Sequence, residues 1–165
     1  MDQRIIEEHI RRGRDFLKSP VTAQGDGSDY HTDQDLKRPQ PPLVKAPMTD
    51  SPMDLPRDFE SLNLSDNLYQ LLLRRKSSRV YTQENMSLLQ LSFLLWASQG
   101  IKEIRGKSYA TLRTAPCGGA RHPFETYLLV RKVDGLVPGA YHYLPMTHQL
   151  ELIQPMEDPD ALLNL

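Results

Sequence analysis

The sequence holds one cysteine, Cys117, in 165 residues, which excludes an internal disulfide and any cysteine-built metal framework. It has no surplus of either charge: 20 Lys plus Arg stand against 21 Asp plus Glu, a formal net charge of −1. That balance removes the global electrostatic footprint that nucleic acid or an anionic membrane would select, so neither is expected as a partner. No uninterrupted apolar run approaches the roughly 18 residues needed to span a bilayer. The opening segment, MDQRIIEEHIRRGRDF, is charged throughout, unlike a secretory leader. A soluble chain in a reducing, cytoplasmic compartment is the expectation.

What is present is unevenly spread. Seven of the 13 prolines fall between Pro20 and Pro56, among charged and small polar residues. The core-forming part is therefore nearer a hundred residues than 165. Residues 1–19 read as an amphipathic helix, with Ile6, Ile10 and Leu17 at roughly helical spacing and Gly13 weakening it. Residues 20–61 read as a proline-rich arm or linker, and 62–165 as the folded domain. Ser65 followed by Leu68, Leu71 and Leu72 predicts a capped helix to about Lys76. In the next helix, Ser87 and Gln90 form a capping box, Leu88, Leu91, Leu94 and Leu95 make the apolar stripe, and Gly100 ends it. Residues 102–111 are polar and read as a loop. Three β-prone runs follow, at 126–130, 141–144 and 149–153, separated by Gly135, Pro138, Gly139 and then by residues 145–148. Helices followed by an antiparallel meander place the chain in the α+β class, with the start of another helix after Asp158.

Three features could carry chemistry. Arg74-Arg75-Lys76-Ser77-Ser78-Arg79 puts four cations and two hydroxyls in six residues. Such a set suits a phosphate, since arginine binds it bidentately and serine completes the shell. Cations also gather at helix C-termini because the macrodipole favours them, and the local sequence does not separate the two readings. In Thr114-Ala-Pro-Cys-Gly-Gly-Ala-Arg-His-Pro123, paired glycines let backbone amides approach a planar or anionic ligand, and structural turns use the same residues. Cys117 and His122 could be drawn as the nucleophile and base of a cysteine hydrolase, but no orienting third group accompanies them. His122, His142 and His148 show no recognised ligand spacing, so no metal is expected. Tyr127, Tyr141 and Tyr143 read as sheet packing.

Taken in order, RRKSSRVY, LLQLSFLLWASQGI, RTAPCGGARHPFETYLLV, VDGLVPGAYHYLP and THQLELI resemble the FMN-dependent nitroreductase superfamily, specifically its SagB-type dehydrogenase branch. The resemblance covers residues 62–153, and DYHTDQDLKRPQPPLVKAP is similar to the arm that precedes the domain in that branch. It implies a nitroreductase-like fold, an antiparallel-containing sheet flanked by helices. Arg75 and Ser77, with Arg79 close by, would hold the phosphate and ribityl chain of FMN. Pro116, Cys117, Gly118 and Gly119 would lie against the flavin from the opposite subunit of a homodimer. Cys117 stands where the family usually has serine, and a thiol is a larger, poorer donor than a hydroxyl.

The resemblance further implies a hydride moved between flavin N5 and an organic substrate, with the cofactor carrying the chemistry. NAD(P)H is the co-substrate of nitroreductase-like members. In the SagB-type branch the reaction is azoline oxidation in a modified peptide, beside a cyclodehydratase partner. No residue is assigned as catalytic base. Family domains continue beyond the segment matched here, so the resemblance also implies a domain incomplete at the C-terminus. A second class stays open: a catalytically incompetent fragment or interaction module of the same fold, its half-sheet completed by a partner.

Overall fold

The computed structural model describes residues 3–17, 31–107 and 109–163. The chain divides into two compact units, Met1–Pro41 and Pro42–Leu165. In the first, helix α1 (Gln3–Leu17) runs through Gly13 and carries an Arg12–Glu8 ion pair of 2.8 Å one turn apart, with no residue buried. Residues 31–38 form a tight turn in which Thr32 donates its amide and hydroxyl to Asp35 Oδ2 at 2.9 and 2.6 Å. The part of the proline-rich arm at 20–30, with the last two residues of the expected N-terminal helix, lies outside the described residues.

The second unit is α+β. Four strands, β1 (Met53–Asp54), β4 (Tyr127–Val130), β5 (Gly139–Leu144) and β6 (Gln149–Pro155), form a sheet in the order β1-β6-β5-β4 with every neighbouring pair antiparallel. The meander expected from the three β-prone runs is thus present. Strands β2 (Ile101–Arg105) and β3 (Ala110–Arg113) form a separate hairpin, where the polar composition of 102–111 had predicted a loop. Gly106, at φ +59, makes its turn, and its charged residues are tolerated because β2 is exposed from Lys102 to Arg105. Helix α2 (Leu68–Arg74) also differs from expectation. Its cap is Asn67, accepting from Gln70 N at 3.0 Å, not Ser65, and it stops at Arg74 rather than near Lys76.

Helix α3 (Leu88–Gln99) has the capping box of Ser87 and Gln90 in both directions. Gly100 follows it, but at φ −59 and not in the left-handed conformation expected of a terminal glycine. Close approach explains the residue instead, because a Cβ there would lie 2.5 Å from Trp96 Cδ1 and from the Trp96 carbonyl oxygen. The short helix α4 (Asp160–Leu163) is where the sequence predicts one, and Asp158 Oδ1 accepts from the amides of Asp160 and Ala161.

The core lies between α3 and one face of the sheet. Leu91 and Leu95 pack with Leu55, Val130, Tyr141, Tyr143 and Leu150, so odd-numbered residues of β5 and even-numbered residues of β6 point inward, as the two-residue period of a strand requires. Phe59, in a 3-10 turn (Phe59–Leu62), meets Phe93 and Trp96 at ring-centroid distances of 5.6 and 5.4 Å.

A directed polar chain crosses this core. Ser92 Oγ lies within hydrogen-bond reach of both the Pro56 carbonyl and His148 Nε2, and His148 Nδ1 lies 2.7 Å from Tyr143 OH. A carbonyl only accepts, so the Ser92 hydroxyl donates to Pro56. His148 Nε2–H then donates to Ser92, and Tyr143 donates to Nδ1. The arrangement requires neutral His148, and burial pushes its pKa down to about 4 from an ordinary 6.5. Burial likewise raises Tyr143 to about 12.

Two outcomes follow. Leu150, wholly buried, should cost about 2–5 kcal/mol on replacement by Ala in urea unfolding. His148 binds a proton more readily unfolded than folded, so stability should fall as pH is lowered from 6.5 toward 4. The loss should be about 2–3 kcal/mol, and His148→Gln should flatten that part of the pH–stability curve.

Candidate functional site

The cationic segment lies just beyond α2. Arg75 is the C-cap residue, at φ −59 and ψ 120, so the chain leaves the helix extended and Ser77 and Arg79 project from irregular backbone. Every residue from 74 to 79 is exposed. Among the described residues, no carboxylate pairs with Arg74, Arg75, Lys76 or Arg79. The phosphate reading and the helix-terminus reading are compatible here, since the cations stand at a helix C-terminus and remain available to an anion.

The glycine loop begins where β3 ends. Thr114 fixes its start, its amide donating to the Gly100 carbonyl and its hydroxyl to the Trp96 carbonyl at 2.8 Å. A 3-10 turn (Gly118–Ala120) follows, in which Gly119 sits at φ +65, Ala120 at φ +53 and, two residues on, His122 at φ +43. Glycine adopts this region freely, whereas Ala and His pay for it sterically. A Cβ at Gly118 would meet nothing within 4 Å, so that side of the loop is open. Cys117 accepts the His122 amide on Sγ at 3.3 Å. The recorded contact is thus to the His122 backbone and not to its ring, which gives no support to a cysteine–histidine hydrolase pair. Burial, with Arg113 second, lowers the His122 pKa. Pro116, Cys117, Gly118 and Gly119 are contiguous in this loop, as are Arg75, Ser77 and Arg79 in theirs. No hydrogen bond, ion pair or ring contact joins the two segments among the described residues.

A third constellation was not singled out by sequence. On the sheet face opposite the core, Tyr127 of β4 is paired in register with His142 of β5, and His142 with Glu151 of β6. Residues 43–49 form a strap over this row. His142, completely buried, places Nδ1 2.7 Å from Glu151 Oε1 and Nε2 3.2 Å from Glu125 Oε2. Glu151 Oε2 accepts from the amides of Met48 and Thr49 at 2.8 and 2.7 Å, and from the Thr49 hydroxyl at 3.0 Å. Glu125 Oε1 accepts from the Lys45 amide at 3.0 Å, and Lys45 Nζ meets the Tyr127 hydroxyl at 2.7 Å. The Tyr127 ring stacks on His142 at 4.7 Å. Burial raises the Glu151 pKa, but the hydrogen bonds from His142, Thr49 and Met48 outweigh it and leave the group lowered. Arg113, also buried, reaches Gln99 Oε1 at 3.0 Å, Thr111 Oγ1 at 3.2 Å and the Leu43 carbonyl at 3.4 Å.

A single glutamate in the alternating run QLELI looks like a solvent-facing strand residue. The signal that could have found it is register: counting back from the turn at 145–148 sets Glu151 opposite His142.

No protein-family model matches the chain. Over 93 residues it is 36% identical to a protein of Methanocaldococcus jannaschii named "Putative nitroreductase MJ1384". The match takes in 56% of this chain, which spans 42% of that relative's length. No helix among the described residues is long and apolar enough to cross a membrane.

Because Glu151 is a buried carboxylate with a histidine and three strap donors upon it, Glu151→Ala should destabilise the fold by about 3–5 kcal/mol in chemical denaturation.

Proposed function

We propose that this chain is part of an FMN-dependent oxidoreductase of the nitroreductase superfamily, in its SagB-type dehydrogenase branch. The observation that carries the proposal is the 93-residue match to a relative named as a nitroreductase, together with the motif order that resembles the same superfamily.

The chain's own residues fit the phosphate and the flavin edge. Arg75 offers a planar fork of N–H donors suited to bidentate phosphate binding, Ser77 offers a hydroxyl, and Arg79 adds charge. All three are exposed and free of carboxylate partners among the described residues. In the glycine loop, the open side of Gly118 and the left-handed Gly119 let backbone approach a flat ring closely. Cys117 already accepts the His122 amide, so its sulfur is turned toward holding the loop's shape, a role that serine could also fill.

FMN, when bound, supplies two-electron chemistry, with hydride passing between a substrate and its N5. The protein's part is to bind the phosphate, present the loop and exclude water. In this reading the phosphate segment and the glycine loop serve one site from two subunits of a homodimer. The co-substrate is NAD(P)H, or the substrate is an azoline in a modified peptide delivered beside a cyclodehydratase, and the compartment is cytoplasmic. A second reading is an interaction module of the same fold. It is favoured by α2, where Leu68, Leu72 and Leu73 are all more than 60% exposed, as expected of a helix covered by another chain.

Purification tests both. A yellow protein with flavin near a 1:1 ratio supports the oxidoreductase, and a colourless monomer or aggregate counts against FMN binding. Arg75→Ala should weaken FMN retention about tenfold or more, the worth of a charge-assisted phosphate contact. An unchanged flavin content in that variant would sink the phosphate assignment.

A further inference from the structure

The residues that border the glycine loop on either side both bond to the strap, through its Leu43 and Lys45. At the loop's start, Arg113, the last residue of β3, donates to the Leu43 carbonyl at 3.4 Å. At its end, Glu125 accepts the Lys45 amide at 3.0 Å. Glu125 is not only a loop residue. Its other oxygen faces His142 Nε2, and through His142 it joins Glu151, which holds the far end of the strap by the Met48 and Thr49 amides. One strap is therefore fastened to two carboxylates that share a buried imidazole, and one of those carboxylates terminates the loop.

We propose that Glu125 is a positioning residue that couples the 43–49 strap to the glycine loop at 114–124, so that docking of the strap sets the loop's conformation. The loop's other ties are at its start, where Thr114 bonds to the Gly100 and Trp96 carbonyls, and at Arg121, whose guanidinium lies 5.3 Å over the Tyr109 ring. Hydrogen bonds within it include the Ala120 amide to the Cys117 carbonyl at 3.1 Å and two contacts of the Cys117 sulfur. Against these stand two non-glycine residues in the left-handed region, Ala120 and His122, a conformation that persists only when its surroundings over-determine it. The strap supplies that constraint from outside. The coupling itself is independent of any ligand, but its value to a flavin site rests on the oxidoreductase reading above.

The test is amide hydrogen exchange on the full chain without added flavin, in wild type, Glu125→Ala and Glu125→Gln. Glu125→Ala should speed exchange at least tenfold at Lys45 in the strap and at Ala120 and His122 in the loop, with the amides of α3 and β5 keeping wild-type rates. Glu125→Gln should restore slow exchange. Its carbonyl can accept from Lys45 and its amide can donate to His142 Nε2, leaving Nδ1–H for Glu151. Wild-type exchange at Ala120 and His122 in Glu125→Ala would overturn the proposal.

If that variant does not fold, Lys45→Pro removes the single strap donor to Glu125 and Lys45→Ala controls for the lost side chain. Faster loop exchange in the proline variant than in the alanine variant supports the coupling, and equal loop exchange in the two overturns it. FMN titration of the same proteins is read separately. Wild type that binds no FMN defeats the flavin reading, while the exchange data alone decide the coupling.

Discussion

The buried carboxylate of Glu151 is the constraint on which the second unit depends. A sheet has two faces, and here only one is covered by a helix. The other carries Tyr127, His142 and Glu151 in a cross-strand row, and a bare ionised carboxylate cannot be buried without partners. The strap solves this by giving its own backbone amides to Glu151 and Glu125. The same bonds satisfy the amides of a segment that has no strand or helix of its own from 43 to 50. Neither the strap nor the charged face is tolerable alone.

The two faces of β5 thus illustrate opposite solutions to burial. On the core side, Tyr141 and Tyr143 join an apolar cluster, and the polar chain there, from Tyr143 through His148 and Ser92 to Pro56, is neutral and runs in a single direction. On the strap side two carboxylates meet a histidine, and main-chain amides of the strap donate to them alongside the Thr49 hydroxyl. Among the described residues no buried side-chain polar atom is left without a partner, so both solutions are complete.

Much of this was legible in the sequence, and the reasons for the failures are physical. The helix at Leu88–Gln99 declared itself by its capping box, because that device is local. The meander was legible because each strand is bounded by proline, glycine or a polar turn. The β2–β3 hairpin was hidden since an exposed two-stranded ribbon needs no apolar alternation. Ser65 and Asn67 offer equivalent caps, and composition alone does not separate the two. Of the candidate site, the cations at 74–79 and the glycine loop could be named from composition alone. Glu125, Glu151, Lys45 and Arg113 could not, because their meaning comes from partners on other elements, as far as 103 positions away.

That separation has a kinetic side. Met48 and Glu151 lie 103 residues apart, and the entropy of closing so long a loop must be met before the contact repays it. The docking surface for the strap exists only once β5 and β6 have paired, since the row is made by their register. Docking of the strap therefore requires the β5–β6 hairpin, with its turn of four residues, to be in register, although the strap is synthesised about a hundred residues earlier. A chain still emerging from the ribosome would hold this segment undocked until residue 151 was free, so the earliest part of the second unit to be made is among the last to find its place.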